Sequence, residues 1–204
     1  MVKKVITYVD GFNLYFGLKS KKWQRYYWLN ISKLAHNLLK PDQTLVHTKY
    51  FTALVKDPPD KQQRQKIFLE ALGTLQNTTI YYGKYQMNPR CCPRCNYQDF
   101  VPSEKMTDVN IATEMMADAF QDKFDVALLI SADSDLSRAV QKIQAIFPHK
   151  YVVAVFPPGR FSSELKAVAR VNFQLGRGKI SDSLFPDEII KVDGYKLIKP
   201  KQWS

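Results

Sequence analysis

Two rhythms of apolar and polar positions alternate along this chain, short β-branched runs and longer stretches with helical spacing. Lys4 to Val9 (KVITYV) is a compact apolar run that predicts a buried strand, stopped by Asp10-Gly11 and followed by a helix from Asn13. Trp28 to Leu39 has apolar residues at helical spacing, with Asn30 as its N-cap and Pro41-Asp42 as its end. Thr44 to Val55 reads as a strand with an extension, Asp57-Pro58-Pro59-Asp60 as a turn and helix start, and Gln62 to Leu75 as an amphipathic helix. Thr78 to Tyr82 predicts a third strand, while Asn88 to Pro102 reads as irregular. Thr107 to Phe120 follows as a helix capped by Thr107, then Phe124 to Ile130 (FDVALLI) as a buried strand. Ser134 to Phe147 is a further helix, Tyr151 to Phe156 a strand, Ser162 to Ala169 a short helix and Arg170 to Gln174 a last short strand. Asp182 to Ser204 has no clear period, and no internal repeat or low-complexity segment interrupts the pattern.

Alternating strand–helix units with β-branched strands predict an α/β fold, a mostly parallel central sheet covered by helices on both faces. The predicted layout is one domain over residues 1–178 with a C-terminal extension at 179–204. Right-handed crossovers place the strand C-termini on one edge, where open α/β sheets bind ligands. Asp10 follows the first strand directly, and Asp133 and Asp135 lie just past the strand ending at Ile130. Asp108 opens a helix whose N-terminus can face that same edge.

Charge sharpens the picture. The 204 residues carry a net charge of +11, and residues 1–100 hold 16 Lys and Arg against 6 Asp and Glu. Between Glu104 and Asp135, eight acids face only Lys105 and Lys123. A basic chain with one local acidic block suits a polyanion held near a site that needs carboxylates. No apolar run approaches the roughly 18–20 residues of a membrane span, and the start of the chain does not look like a secretory signal, so a cytoplasmic location is expected.

Carboxylates gathered in one crevice repel unless protons or a cation neutralise them. Mg²⁺ or Mn²⁺ prefers oxygen ligands, bridges readily to phosphate, and stabilises the attacking and leaving oxygens of a phosphodiester displacement. Such chemistry requires no Ser, Cys or His nucleophile, and His36, His47 and His149 sit in no recognisable catalytic context. Each acid also has a structural reading: Asp10-Gly11 as a turn, Asp133 or Asp135 as a helix cap, Asp108 as a first-turn acid. Asp118 and Asp122 are expected to face water, and Asp125 to tune entry to its strand.

Three blocks together carry a family resemblance. They are Val9-Asp10-Gly11-Phe12-Asn13-Leu14-Tyr15, Glu104-Lys105-Met106-Thr107-Asp108-Val109 and Leu129-Ile130-Ser131-Ala132-Asp133-Ser134-Asp135-Leu136. In order, spacing and strand context they resemble the signature of the NYN domain, in its LabA-like branch of the PIN-like nuclease superfamily. The resemblance spans about residues 3–175 and implies a Rossmann-like PIN-type fold and metal-dependent endonucleolytic cleavage of RNA. It implies that Asp10, Asp108, Asp133 and Asp135 form the catalytic, Mg²⁺- or Mn²⁺-binding site. It further implies that Asn13 and Lys105 contact substrate or site water and that Ser131 and Ser134 orient carboxylates or phosphate. Two positions depart from the family pattern: Ala132 replaces a glycine and Leu136 an aromatic. If that turn needs positive φ, alanine is penalised there.

Cys91-Cys92-Pro93-Arg94-Cys95 contains a C-x₂-C knuckle, half of a zinc site. Three readings stay open: two chains sharing one zinc as a homodimer, a three-thiolate site completed by histidine, or free thiols. Lys19 to Trp28 (KSKKWQRYYW) interleaves cations, among them Lys22 and Arg25, with aromatics that can hold phosphates and stack bases. The opposing reading packs Trp23, Tyr27 and Trp28 on the core. Lys84, Arg90, Arg94, Lys196, Lys199 and Lys201 with Trp203 can extend a basic rim. Beside an RNA-cutting enzyme, a non-catalytic RNA-binding module and a flap-cutting DNA nuclease remain alternatives.

Overall fold

Strand β1 (Lys3–Asp10) is the organising element, because its apolar residues must be covered on both sides: Val5 and Val9 face one core, Ile6 and Tyr8 the other. The structure, a computed structural model, describes residues 2–55 and 57–203, with side chains outside 85–87 and 100–104. After β1 come α1 (Gly11–Ser20), α2 (Ile31–Asn37), β2 (Gln43–Thr52), α3 (Pro59–Leu72) and β3 (Thr78–Tyr82). A ribbon of β4 (Lys84–Cys91) and β5 (Gln98–Lys105) follows, then α4 (Thr107–Phe120), β6 (Val126–Ile130), α5 (Ser137–Ile146), β7 (Tyr151–Phe156), α6 (Ser163–Val168) and β8 (Val171–Gln174). The tail holds α7 (Arg177–Ser181), β9 (Glu188–Ile190) and β10 (Lys196–Ile198).

Six strands form one parallel sheet in the order β3-β2-β1-β6-β7-β8. The strand order therefore reverses between β1 and β6, the kind of switch point where doubly wound sheets open a crevice. One core cluster, with Trp28, Leu34 and Leu72, lies under α1, α2 and α3. The other, with Ile111, Met115, Val140 and Ile143, lies under α4 and α5. Among the described residues no helix is long and apolar enough to cross a membrane.

Several expectations change. Asn88 to Pro102, read as irregular, is largely an antiparallel ribbon running in register from Lys84↔Lys105 to Cys91↔Gln98. Pro89 and Pro102 hid it, yet both strands of a two-stranded ribbon are edges, where a missing N–H is tolerated. The N-cap of α4 is Met106 at φ 79°, with Thr107 the first helical residue and buried. The tail is part of the core: Phe185, Leu197 and Trp203 are buried in the first cluster, and Trp28 Nε1 donates to the Pro186 carbonyl at 2.7 Å. Burial of Trp203 withdraws that indole from an exposed basic rim.

Candidate metal centre

Three elements bring one carboxylate each to the crevice at the switch point. Asp10 ends β1, Asp133 lies just beyond β6, and Asp108 sits in the first turn of α4, which runs antiparallel to the strands and so starts at their C-terminal edge. Ligand oxygens of Asp10, Asp108 and Asp133 all lie within 4.8 Å of one another. At that spacing each ionised pair repels by roughly 3–4 kcal/mol at an effective dielectric near 20.

Asp10 is buried and tightly held. Its Oδ1 accepts from the Asn13 backbone N–H at 2.9 Å, capping α1, and its Oδ2 accepts from Asn13 Nδ2 at 2.8 Å and from Ser131 Oγ at 2.9 Å. Asn13 Oδ1 in turn accepts from the Ala132 N–H at 3.3 Å, and Ser131 Oγ accepts from the Asp133 N–H at 3.0 Å. Asn13 and Ser131 thus lock the end of β1 to the loop after β6. Burial pushes the Asp10 carboxyl above its ordinary range, with the Asp133 charge adding, although the three hydrogen bonds pull the other way. Burial, then the charges of Asp133, Asp10 and Asp135, pushes Asp108 up to about 6.

Backbone geometry supports this arrangement. A Cβ at Gly11 would stand 2.5 Å from Tyr50 Oη and 2.7 Å from the Phe51 carbonyl, so only glycine lets the chain turn beside Asp10. Met106, two residues before Asp108, holds a left-handed backbone that a side chain rarely adopts. Ala132 is not among the residues with positive φ, so the turn accepts alanine without strain. Leu136 is buried in the second core cluster.

The other predicted residues divide. Asp135 is exposed and outside the close trio; its N–H donates to Asp133 Oδ1 at 2.9 Å, and its charge reaches Asp108. Asp133 therefore caps the 3-10 turn Ser134–Leu136 as well as facing the crevice. Ser134 is exposed at that turn, and Lys105 is exposed at the end of β5. The Glu104 side chain lies outside the described residues. Lys22 and Arg25 lie beyond the far end of α1, whose ten residues separate them from Asp10 by about 15 Å. Arg25 donates to Tyr26 Oη at 2.8 Å, and Tyr26 and Trp28 are buried, so much of the Lys19–Trp28 segment serves the core. At the ribbon tip the N–H groups of Arg94 and Cys95, with the Cys95 thiol, hold the Cys92 thiol below its usual range. Cys91 does not join Cys92 and Cys95 in a three-ligand cluster; among the described residues only the aspartates make one.

A second polar cluster escaped the sequence reading. Asp118, expected in water, is buried: it accepts from Tyr8 Oη at 2.7 Å and Lys49 Nζ at 2.5 Å, and pairs with Lys123 at 3.3 Å. Lys49 also reaches Glu114 at 2.7 Å, and Tyr81 Oη donates to Glu114 at 2.9 Å. Burial would lower the Lys49 pKa, yet its bonds to Asp118 and Glu114 raise it on balance; the same bonds hold Asp118 low against burial. The signal was present, since Asp118 falls on the stripe of Ile111, Met115 and Ala119. Asp122 is exposed but pairs with Lys150 and Lys4, and Asp125 Oδ2 accepts the Lys4 N–H at 2.6 Å, tying β6 to β1.

Comparison with known proteins places this geometry. A solved structure of a protein of unknown function from Vibrio parahaemolyticus superposes with a TM-score of 0.56 at 19% identity, covering 90% of this chain and 96% of that one, a likeness of fold. The 6-hydroxy-3-succinoylpyridine 3-monooxygenase of Pseudomonas putida is 27% identical over 172 residues, 68% of this chain, and the match spans 54% of that protein's length. Residues 4–175 match the NYN domain model, and the chain belongs to that family.

Proposed function

We propose that this chain is a metal-dependent ribonuclease that hydrolyses RNA phosphodiesters endonucleolytically. The observation that carries the reading is the trio Asp10, Asp108 and Asp133: three carboxylates with ligand oxygens within 4.8 Å, at the switch point of the sheet. The donor set is all oxygen, which suits Mg²⁺ or Mn²⁺. The trio contains no histidine and so does not match the two-histidine, one-carboxylate set of non-haem iron oxygenases. A bound ion would supply a Lewis acid and neutralise charge building on the phosphodiester.

The chain's own residues divide the remaining work. Asn13 and Ser131 hold Asp10 in one orientation, as the partners of metal-binding carboxylates commonly do. Asp135 adds negative charge at the rim and Ser134 an exposed hydroxyl. Lys105 and the basic first half of the chain draw a polyanion toward the acidic centre. For the cysteine ribbon, zinc would need two ligands beyond Cys92 and Cys95, supplied by a second copy of the chain; zinc analysis of the purified protein tests this.

The test incubates mixed RNA, single-stranded DNA and branched DNA with the purified chain and Mn²⁺, beside an Asp133→Asn variant. Asparagine keeps the cap acceptor for the Asp135 N–H, so the fold is preserved. Cleavage of RNA by the parent and none by the variant supports the reading. Equal cleavage by both, or cleavage of DNA alone, contradicts it.

A further inference from the structure

A groove of about 580 Å³ runs between α1 and α3, starting at Gly11, the residue after Asp10. Its size lies within the roughly 300–1,000 Å³ of ordinary ligand sites. Aromatic rings line it, including the Tyr15–Tyr27 pair at 5.0 Å between centroids, with the buried Trp203 packed edge-on against Tyr27 and Phe68. Lys19, Lys61 and Arg64 line it as well, with Asp57 the acid of the lining and Arg64 paired to Asp60 on its own helix at 2.7 Å. Gln24 and Gln202 also line it, and their side chains have no hydrogen-bond partner among the described residues.

Each feature matches one part of an unpaired nucleotide. Ring walls accept the flat face of a base whatever its identity. Free amides can pair with base edges. Lys19 and Lys61, with Arg64 shared with Asp60, complement phosphates along the groove, while double-stranded RNA offers no splayed base to fill an aromatic slot. We propose that the α1–α3 groove holds an unpaired nucleotide of single-stranded RNA, next to the phosphate presented to Asp10, Asp108 and Asp133. The proposal deepens the ribonuclease reading and rests on it.

The experiment measures binding apart from cleavage. The 204-residue chain carrying Asp133→Asn is titrated, in EDTA, against a labelled hexauridylate and a labelled blunt RNA duplex, with anisotropy as the readout. Adding Lys61→Gln and Arg64→Gln should weaken hexamer binding about tenfold or more and change duplex binding far less. A second variant, Gln24→Ala with Gln202→Ala, keeps every charge and should also weaken the hexamer selectively. Unchanged hexamer affinity in both variants overturns the proposal. So does saturation of the groove by a pyridine carboxylate that the hexamer cannot displace, which would assign the groove to small aromatic acids. The ribonuclease reading fails separately, as RNA left intact by the parent chain in Mn²⁺ while the hexamer still binds in a groove-dependent way.

Discussion

Asp108 and Asp118 sit on one helix, α4, about 15 Å apart, and the protein treats them in opposite ways. Asp118 is buried among donors: Lys49, Lys123 and Tyr8 hold its carboxylate ionised, below its ordinary range. Asp108 faces Asp10, Asp133 and Asp135, whose charges together with burial push it up to about 6. A fold that places cations under Asp118 leaves the Asp108 crevice with like charges. The first arrangement stabilises the fold, whereas the second stores repulsion that a bound cation would relieve. That contrast separates a structural acid from a functional one more clearly than exposure does.

The comparison can be broken at several points. The largest effect is expected from Asp133→Asn or Asp10→Asn, which should abolish Mn²⁺-dependent RNA cleavage, read on a denaturing gel. Next, Lys49→Met leaves Asp118 and Glu114 without their shared cation. Breaking a buried pair from one side costs roughly 3–5 kcal/mol, so chemical denaturation should show a large loss of stability. At temperatures where the variant remains folded, its cleavage should persist.

Ser131→Ala removes the hydroxyl that joins Asp10 to the Asp133 N–H. A loss of about 10–100-fold in metal affinity or activity is expected, measured as the Mn²⁺ concentration giving half-maximal cleavage.

The smallest effect concerns stability alone. Asp108 has a folded pKa of about 6, above the ordinary carboxylate value near 3.9. Its contribution is therefore destabilising, absent below about pH 4, growing between about 4 and 6, and full above that. Asp108→Asn should raise the metal-free melting temperature at pH 7.5 by a few degrees, about 1–2 kcal/mol after allowance for partial exposure and screening. At pH 4 the gain should vanish. In the parent, added Mn²⁺ should stabilise at pH 7.5 and less at pH 5, where protons compete.

Much of the fold was legible because its strands are short, β-branched and separated by helical stretches; Thr78–Tyr82 and Tyr151–Phe156 match residue for residue. Asn30 as a cap was legible too, because its side chain accepts the Lys33 N–H. Asp10, Asp108 and Asp133 could be placed together because topology dictates where strand ends and the N-terminus of α4 meet. What was hidden depends on contacts between distant segments. Lys49 looks like a surface lysine until α4 lays Asp118 over it. Asn13 looks like a contact to substrate or site water until its bond to Asp10 is seen, and only its bond to Asp10 shows that Ser131 orients a carboxylate. Pro89 and Pro102 disguised the β4–β5 ribbon, and the aromatic groove needs α1, α3 and the tail at once.

The central claim is that the crevice without internal cations is the one built for a metal. Mn²⁺ titration followed by electron paramagnetic resonance tests it directly, on the parent, Asp108→Asn and Asp118→Asn. The account predicts saturable Mn²⁺ binding in the parent, retained in folded Asp118→Asn and lost or strongly weakened in Asp108→Asn. Undiminished binding by Asp108→Asn, or its loss in folded Asp118→Asn, would contradict it.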